Sequence, residues 1–349
     1  MKTFLKKIRN KVVIIFYEYL VNIRAFFELI KNKDTSLHKP DCDIYVPVPG
    51  RYFWVSIAGI SSFLFFYNTK IHIINDGSLK KWQIYLFKMF FPQIELLKHN
   101  FHLSSIKKFP ELIEWSNKTW AAGKFLSPII HSKKSKYLIF DCDILFLKKP
   151  KELIDWIENE TKFSRFSFDC RNYSVLSKLE MDRLLKKKHN FSNVNSGMVA
   201  IQKHLLTKKN LLSKINQIFL AMIDQMDDRL LTDTNDFPRS KIAVLDFCFG
   251  KSVIEQSLHA WFFNVLPTKK LPSSYTLAPF FRTNFHNELI PTKVKVIHFT
   301  GEKDKRLMYK YLAHSIIYKI KSSDKTPWFN AMPLNNLNDQ VYPLLQKII

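Results

Sequence analysis

Asp141 and Asp143 interrupt an apolar run. Residues 136–149 read Lys-Tyr-Leu-Ile-Phe-Asp-Cys-Asp-Ile-Leu-Phe-Leu-Lys-Lys. Residues 137–140 have the make-up of a buried strand, and the apolar character resumes at 144–147. An unpaired charge in a core is costly. Two carboxylates at this place are best explained by a cation held at the carboxyl end of a strand, where open α/β sheets bind ligands. Side chains alternate along a strand, so positions 141 and 143 are expected to face one way and to share one divalent metal and its waters. The competing reading is a strand-end turn in which aspartate caps backbone amides.

Three later stretches carry groups that suit the same chemistry. Asn193-Val194-Asn195-Ser196-Gly197 gathers amides, a hydroxyl and bare backbone, a set suited to hydrogen-bonding a polyhydroxylated ligand. The same composition also makes a hairpin or strand-entry turn. Glu255 and Gln256 fall in the first turn of an expected helix, residues 253–263. His298 closes an apolar strand, residues 293–299, and Thr300-Gly301-Glu302-Lys303 follow it. A lone histidine is usually structural, but this one occupies a strand end, as the two aspartates do.

The elements that must position these groups read as α/β. Residues 43–48 form a short strand, Pro49-Gly50 a turn, and residues 52–67 a helix with Ala58, Gly59 and Ser61 for close packing on a sheet. Residues 70–74 form a second strand ending in Asn75-Asp76-Gly77. Strand, helix, strand is a βαβ unit, which predicts a parallel sheet binding its ligand at the strand ends. Residues 80–90 read as helix, 94–97 as extended chain, and 111–130 as helix leading into the aspartate strand. Beyond Pro150, residues 166–169 and 198–201 read as strands, 203–226 as a long helix and 242–246 as a strand. The fold class expected is α/β, with a mixed, mostly parallel central sheet and flanking helices.

Composition bounds the partners. The 349 residues, 46% hydrophobic and 15% aromatic, are those of a folded globule. Lys plus Arg number 54 against 30 Asp plus Glu, a formal net charge of +24, which points to polyanions: nucleotides, nucleic acid or an anionic membrane. Cys42, Cys142, Cys170 and Cys248 are scattered without a C-x-x-C pair, which fits a reducing cytoplasm. Residues 1–40 form a basic amphipathic segment. At helical spacing Leu5, Ile8, Val12, Ile15, Phe16, Tyr19, Ile23, Phe26, Phe27 and Ile30 share one side, and Lys2, Lys6, Lys7, Arg9 and Lys11 crowd its start. No small-residue cleavage site follows, and Glu18, Asn22, Arg24 and Glu28 interrupt any membrane span. Such a helix either lies on the cytoplasmic face of an anionic membrane or packs on its own domain.

Taken in order, Phe140-Asp141-Cys142-Asp143, Asn195-Ser196-Gly197 entering a strand, Glu255-Gln256 and Val296-Ile297-His298-Phe299-Thr300-Gly301 resemble the GT-A glycosyltransferases, most closely the retaining glycosyltransferase family 8. The resemblance spans residues 43–305. It implies a GT-A-like catalytic domain over residues 41–305, followed by a helical tail, residues 306–349. It implies Mn²⁺ or Mg²⁺ on Asp141, Asp143 and His298, holding the diphosphate of a nucleotide-sugar. By the same resemblance Tyr52 stacks on the base and Lys124 touches the donor, while Asp76 is a substrate-binding candidate from its place at a strand end. Asn195, Ser196, Glu255 and Gly301 surround the donor, and Lys303 or Lys305 neutralises its diphosphate. Gln256 and Asp169 would orient the sugar and soften oxocarbenium charge. Glu255 stands where the family more often has Asp, and Pro49 where it commonly has an acidic residue reading the base edge. The chain then runs Glu302-Lys303-Asp304-Lys305-Arg306 where the family has a lysine and Pro-Trp.

The activity implied is metal-dependent transfer of a hexose from a nucleotide-sugar, UDP-linked in the family, to a saccharide or glycolipid acceptor. Configuration would be retained, and envelope polysaccharide or lipopolysaccharide synthesis would be the setting. Two rival classes are weighed against it. A haloacid-dehalogenase-type phosphatase also has Asp-x-Asp after a strand, but Leu145 occupies the place of its usual small residue and no later Gly-Asp-x-x-x-Asp completes a magnesium site. A basic nucleic-acid-binding protein would suit the charge, yet no helix-turn-helix, RNA-recognition or zinc-finger signature is present, so no specific nucleic-acid partner is expected.

Overall fold

The computed structural model describes residues 37–97, 101–168, 182–183, 194–206, 210–224, 253–277, 294–299 and 308. The expected N-terminal helix, the strand at 242–246, the C-terminal tail apart from Met308, Asp169, Gly301 and Lys303 lie outside these residues.

Strands buried on both faces read as near-continuous apolar runs, because helices must cover each side. In β1 (Cys42–Val48) Ile44, Val46 and Val48 enter one core while Tyr45 enters the other. In β4 (Lys136–Phe140) Leu138 and Phe140 take the first side, Tyr137 and Ile139 the second. The first core is covered by α1 (Phe53–Phe66), α2 (Lys81–Phe90) and α5 (Lys151–Glu158). The second is covered by α3 (Pro110–Lys118), α4 (Trp120–His131), α6 (Leu211–Asp224) and α7 (Val253–Val265). Lys136 ties α5 to the sheet: its buried Nζ donates to the carbonyls of Trp156, Ile157 and Asn159 at 3.0, 2.8 and 3.0 Å, satisfying the orphan acceptors of that helix end.

The remaining strands are β2 (Ile71–Asn75), β3 (Ile94–Leu97), β5 (Ile144–Phe146), β6 (Ser164–Phe168), β7 (Val194–Gln202), β8 (Thr268–Lys270), β9 (Tyr275–Leu277) and β10 (Val296–His298). The seven-stranded sheet runs β3-β2-β1-β4-β7-β6-β8. Its β3-β2-β1-β4 half is parallel, β7 is antiparallel to both neighbours, and β6 pairs β8 in parallel. The fold is thus α/β with a mixed, mostly parallel sheet, as the sequence indicates. A second sheet, β5-β10-β9, branches from the end of β4.

Three local expectations change. The helix read over 111–130 is two helices, broken at Thr119, whose extended backbone lets its hydroxyl accept the Ala121 N–H at 3.2 Å and cap α4. The helix read over 203–226 is a short 3-10 turn, Lys203–Leu206, and α6, with Asn210 at φ 83° just before the latter. Asparagine tolerates that left-handed position. The Asn-rich stretch is not a turn: Asn195, Ser196 and Gly197 lie inside β7.

Candidate active site

The chain leaves β4 at Phe140. Asp141 N donates to Gly197 O at 2.7 Å, extending the β4·β7 ladder by one bond, and Ile144 N then returns to Asp141 O at 3.2 Å. Asp141, Cys142 and Asp143 therefore form a tight turn into β5, with Cys142 buried beneath it. The two aspartates converge through this turn and not through strand alternation. The structure corrects that part of the sequence argument while keeping the pair together.

Two neighbours fix the turn. Gly59 of α1 packs against it so closely that a Cβ there would stand 2.5 Å from Cys142 O and 2.9 Å from Ile144 O, so only glycine fits. On the other side β10 runs antiparallel to β5, with His298 opposite Ile144, and Phe299 N donates to Asp143 O at 3.0 Å. This register delivers the imidazole to the carboxylates. His298 Nε2 lies 3.5 Å from Asp141 Oδ2 and 3.2 Å from Asp143 Oδ1. One ligand atom from each of the three residues falls within 4.8 Å of the others.

The tautomer follows from the far side of the ring. His298 Nδ1 is 3.0 Å from Asn195 Oδ1, an oxygen that also accepts the Gly197 N–H at 2.9 Å. An amide oxygen is only an acceptor, so Nδ1 carries a hydrogen and Nε2 is the nitrogen that faces the aspartates.

Charge is organised in depth behind this triad. Lys124, 1% exposed, places Nζ 2.8 Å from Asp141 Oδ1 and 3.3 Å from Glu255 Oε1. Glu255 is fully buried and also meets His259 Nδ1 at 2.9 Å, one helical turn along α7. Burial penalises the Lys124 charge, but Asp141 and Glu255 outweigh it and hold the amine above its ordinary value. Burial likewise pushes the Glu255 carboxyl up, and Lys124 and His259 reverse this and hold it below the usual range. Asp141 goes the other way. Its burial raises the carboxyl, Lys124 and His298 pull it back only in part, and Asp143 and Glu255 add to the rise. Lys124 touches Asp141 and Glu255, so with both imidazoles neutral the three carboxylates of Asp141, Asp143 and Glu255 outnumber the one lysine among them. That imbalance, with two oxygen donors and one nitrogen converging, fits a divalent cation.

Other sequence candidates fall in different places. Ser196 contacts the Glu255 carboxylate from β7, and Gln256 Nε2 reaches Val194 O at 3.4 Å. Tyr52 and Asp76 form a separate group over the ends of β1 and β2, where Val48 pairs with Asn75. Tyr52 closes the 3-10 turn Gly50–Tyr52 with the Arg51 guanidinium 4.6 Å above its ring. Asp76 Oδ1 accepts from Ser78 N at 3.0 Å, and Ser78 Oγ in turn accepts from Gly50 N at 2.6 Å, so its carboxylate shapes the loop. His259 and Ser167 are members of the network that sequence reading misses. Ser167 Oγ sits 3.4 Å from Asn195 Oδ1. The Glu255/His259 spacing of four on one helix was the available signal for the first.

A mostly parallel α/β sheet with two aspartates and a histidine at its carboxyl end defines a candidate divalent-metal centre of the ligand-binding α/β class. No family model matches the chain, and no curated protein sequence does either. Solved structures do. The fold is similar to the galactosyltransferase LgtC, crystallised with donor and acceptor sugar analogues, at 11% identity and a TM-score of 0.44, over 78% of this chain and 95% of that one. It is similar to mouse xyloside xylosyltransferase 1 in its apo form, at 11% identity and a TM-score of 0.44, over 76% and 98% of the two chains. It is similar also to core-mannan synthase A from Aspergillus fumigatus in a Mn/GDP form, at 9% identity and a TM-score of 0.41, over 68% and 74%.

Proposed function

We propose that this chain is a metal-dependent glycosyltransferase of GT-A type, moving a hexose from a nucleotide-sugar to a saccharide or glycolipid acceptor. The observation that carries the reading is the convergence of Asp141, Asp143 and His298 at the carboxyl end of the sheet, in a cluster where three carboxylates gather with one lysine. The third donor is an imidazole, which favours Mn²⁺ over Mg²⁺ and counts against the acid-rich magnesium site of the phosphatase reading.

A bound divalent ion would neutralise the charge that gathers on the diphosphate as its bond to the anomeric carbon breaks. The chain's own residues do the rest. Asp141, Asp143 and His298 hold the ion. Asn195 keeps the imidazole in the tautomer that presents Nε2, so it acts as a positioning residue for His298. Lys124 helps keep Asp141 ionised, and Glu255, with no exposed surface, holds Lys124 in place from behind. Gln256 and Asp169 are assigned to orienting the donor sugar, Tyr52 and Asp76 to the nucleoside end, and Lys303 to the diphosphate. With retention, the acceptor hydroxyl would bond to the anomeric carbon on the face the diphosphate leaves, its proton passing to the departing diphosphate oxygen, so no protein nucleophile is required.

An envelope glycan or lipopolysaccharide acceptor would suit a protein of net charge +24 with a basic amphipathic N-terminus seated on the cytoplasmic face of the membrane. Among the described residues no helix is long and apolar enough to cross a membrane. Deleting residues 1–33 should release the protein from anionic liposomes while sparing activity on a soluble acceptor. The test of the activity itself is a panel of nucleotide-sugars incubated with the full chain, with and without Mn²⁺. Metal-dependent donor hydrolysis or transfer with one donor supports the reading; no turnover and no metal-dependent thermal stabilisation with any donor sinks it.

A further inference from the structure

Three elements meet again at the opposite, amino-terminal end of the sheet. His72 is the second residue of β2, Glu95 is its register partner on β3, and His131 is the last residue of α4. We propose that His72, Glu95 and His131 form a second metal site, for Zn²⁺, independent of the one at Asp141, Asp143 and His298.

One ligand atom from each of the three residues lies within 4.8 Å of the others. His72 Nδ1 and Glu95 Oε2 are 3.3 Å apart. Bonds of about 2.1 Å at tetrahedral angles put neighbouring zinc ligands about 3.4 Å apart, so these two atoms already have the spacing of a shared ion. Two imidazoles and one carboxylate are a donor set that suits zinc and leaves a fourth position for water.

The second observation is the state of His72. Its Nδ1 is buried and makes no hydrogen bond, although it points toward Glu95. Its other nitrogen, Nε2, faces Asp43 Oδ1 at 3.5 Å, and Asp43 is itself anchored by the Lys133 N–H at 3.2 Å. A carboxylate behind Nε2 holds the hydrogen there and leaves the Nδ1 lone pair for a metal, the arrangement found behind metal-bound histidines. The ring is fixed by stacking on Tyr45 at 4.9 Å and 22°, with the His131 ring edge-on at 5.7 Å. Lys70 competes for Glu95 Oε2 at 2.5 Å, but its side chain is 57% exposed and can turn into solvent when an ion enters. A bound ion would tie β2 and β3 to the end of α4, a structural role away from the transfer site.

The test uses chelator-stripped full-length protein, titrated with Zn²⁺ against a chromophoric chelator and, in parallel, with Co²⁺ followed by its visible absorption. Wild type and D143N are expected to take up the same tight equivalent, and H131A and E95Q to lose it. D43N should keep the stoichiometry but bind about 10–100-fold more weakly. With the first site disabled, zinc should raise the melting temperature of D143N and not of the double variant D143N/H131A. Affinity and stoichiometry in H131A and E95Q equal to wild type, or loss of all zinc binding in D143N, would overturn the proposal. E95Q alters a half-exposed side chain and serves if H131A does not fold.

Discussion

A Cβ atom on Gly197 would stand 2.1 Å from Cε1 and 2.4 Å from Nδ1 of His298. The bare backbone of β7 is what allows the imidazole to lie across it and reach the aspartates. Gly197→Ala must therefore push the ring aside, since real Cβ atoms do not approach that closely. The fold should survive, because the clashes are with side-chain ends and not backbone: the His298 ring and Asn195 Oδ1, which the Cβ would meet at 2.7 Å. The Mn²⁺ concentration for half-maximal activity should rise by at least about tenfold, on the scale of losses from disturbing a ligand's support. An unchanged Mn²⁺ requirement in this variant would remove His298 from the metal site.

Asn195 and Gln256 should separate. Asn195→Ala frees the His298 tautomer and is expected to weaken metal binding about 10–100-fold. Gln256→Ala should lower turnover with the Mn²⁺ requirement unchanged, because its amide contacts the backbone of Val194 and not the triad. Mn²⁺ titrations of activity for the two variants decide this, and equal shifts in both would contradict the division of roles.

Lys124→Met leaves Asp141 and Glu255 buried without their cation. Breaking a buried pair from one side costs about 3–5 kcal/mol. Urea unfolding of the single variant and of Lys124→Met with Glu255→Gln should show that the second change recovers part of the loss. Strictly additive destabilisation would mean the two residues do not form the pair described.

The Glu255 carboxyl sits below its ordinary 4.5 in the folded chain. A depressed carboxyl contributes stability that is present above the unfolded value and is lost as pH falls through the folded one. The stability gap between wild type and Glu255→Gln should thus be widest near neutrality and shrink as the pH is taken below about 4.3. Unfolding curves at several pH values check it, and a gap that does not change with pH would mean Glu255 is not ionised in its buried pair.

Much of this was legible in the residues and some was not, for physical reasons. Two charges breaking an apolar run mark a strand end wherever it lies, so the place of Asp141 and Asp143 and the parallel half of the sheet could be read directly. The turn that joins the aspartates could not, because it depends on β7 and β10 closing on either side. Glu255 and Gln256 are adjacent, yet one is sealed behind Lys124 and the other reaches β7, and which way a helix faces is set by packing. Asn195 reads as a turn former, but its amide oxygen serves Gly197 and His298 within a strand. His72, Glu95 and His131 come from three elements with no spacing signature, so only the folded chain brings them together.

The central claim, a metal held by Asp141, Asp143 and His298 that the transfer requires, is tested most directly by turnover of a nucleotide-sugar donor by chelator-stripped protein. Wild type should be inactive when stripped and recover fully on addition of Mn²⁺, and Asp143→Asn, folded as judged by its melting curve, should stay inactive at any Mn²⁺ concentration. Full activity in the stripped wild type, or recovery of Asp143→Asn to the wild-type rate, would contradict the account.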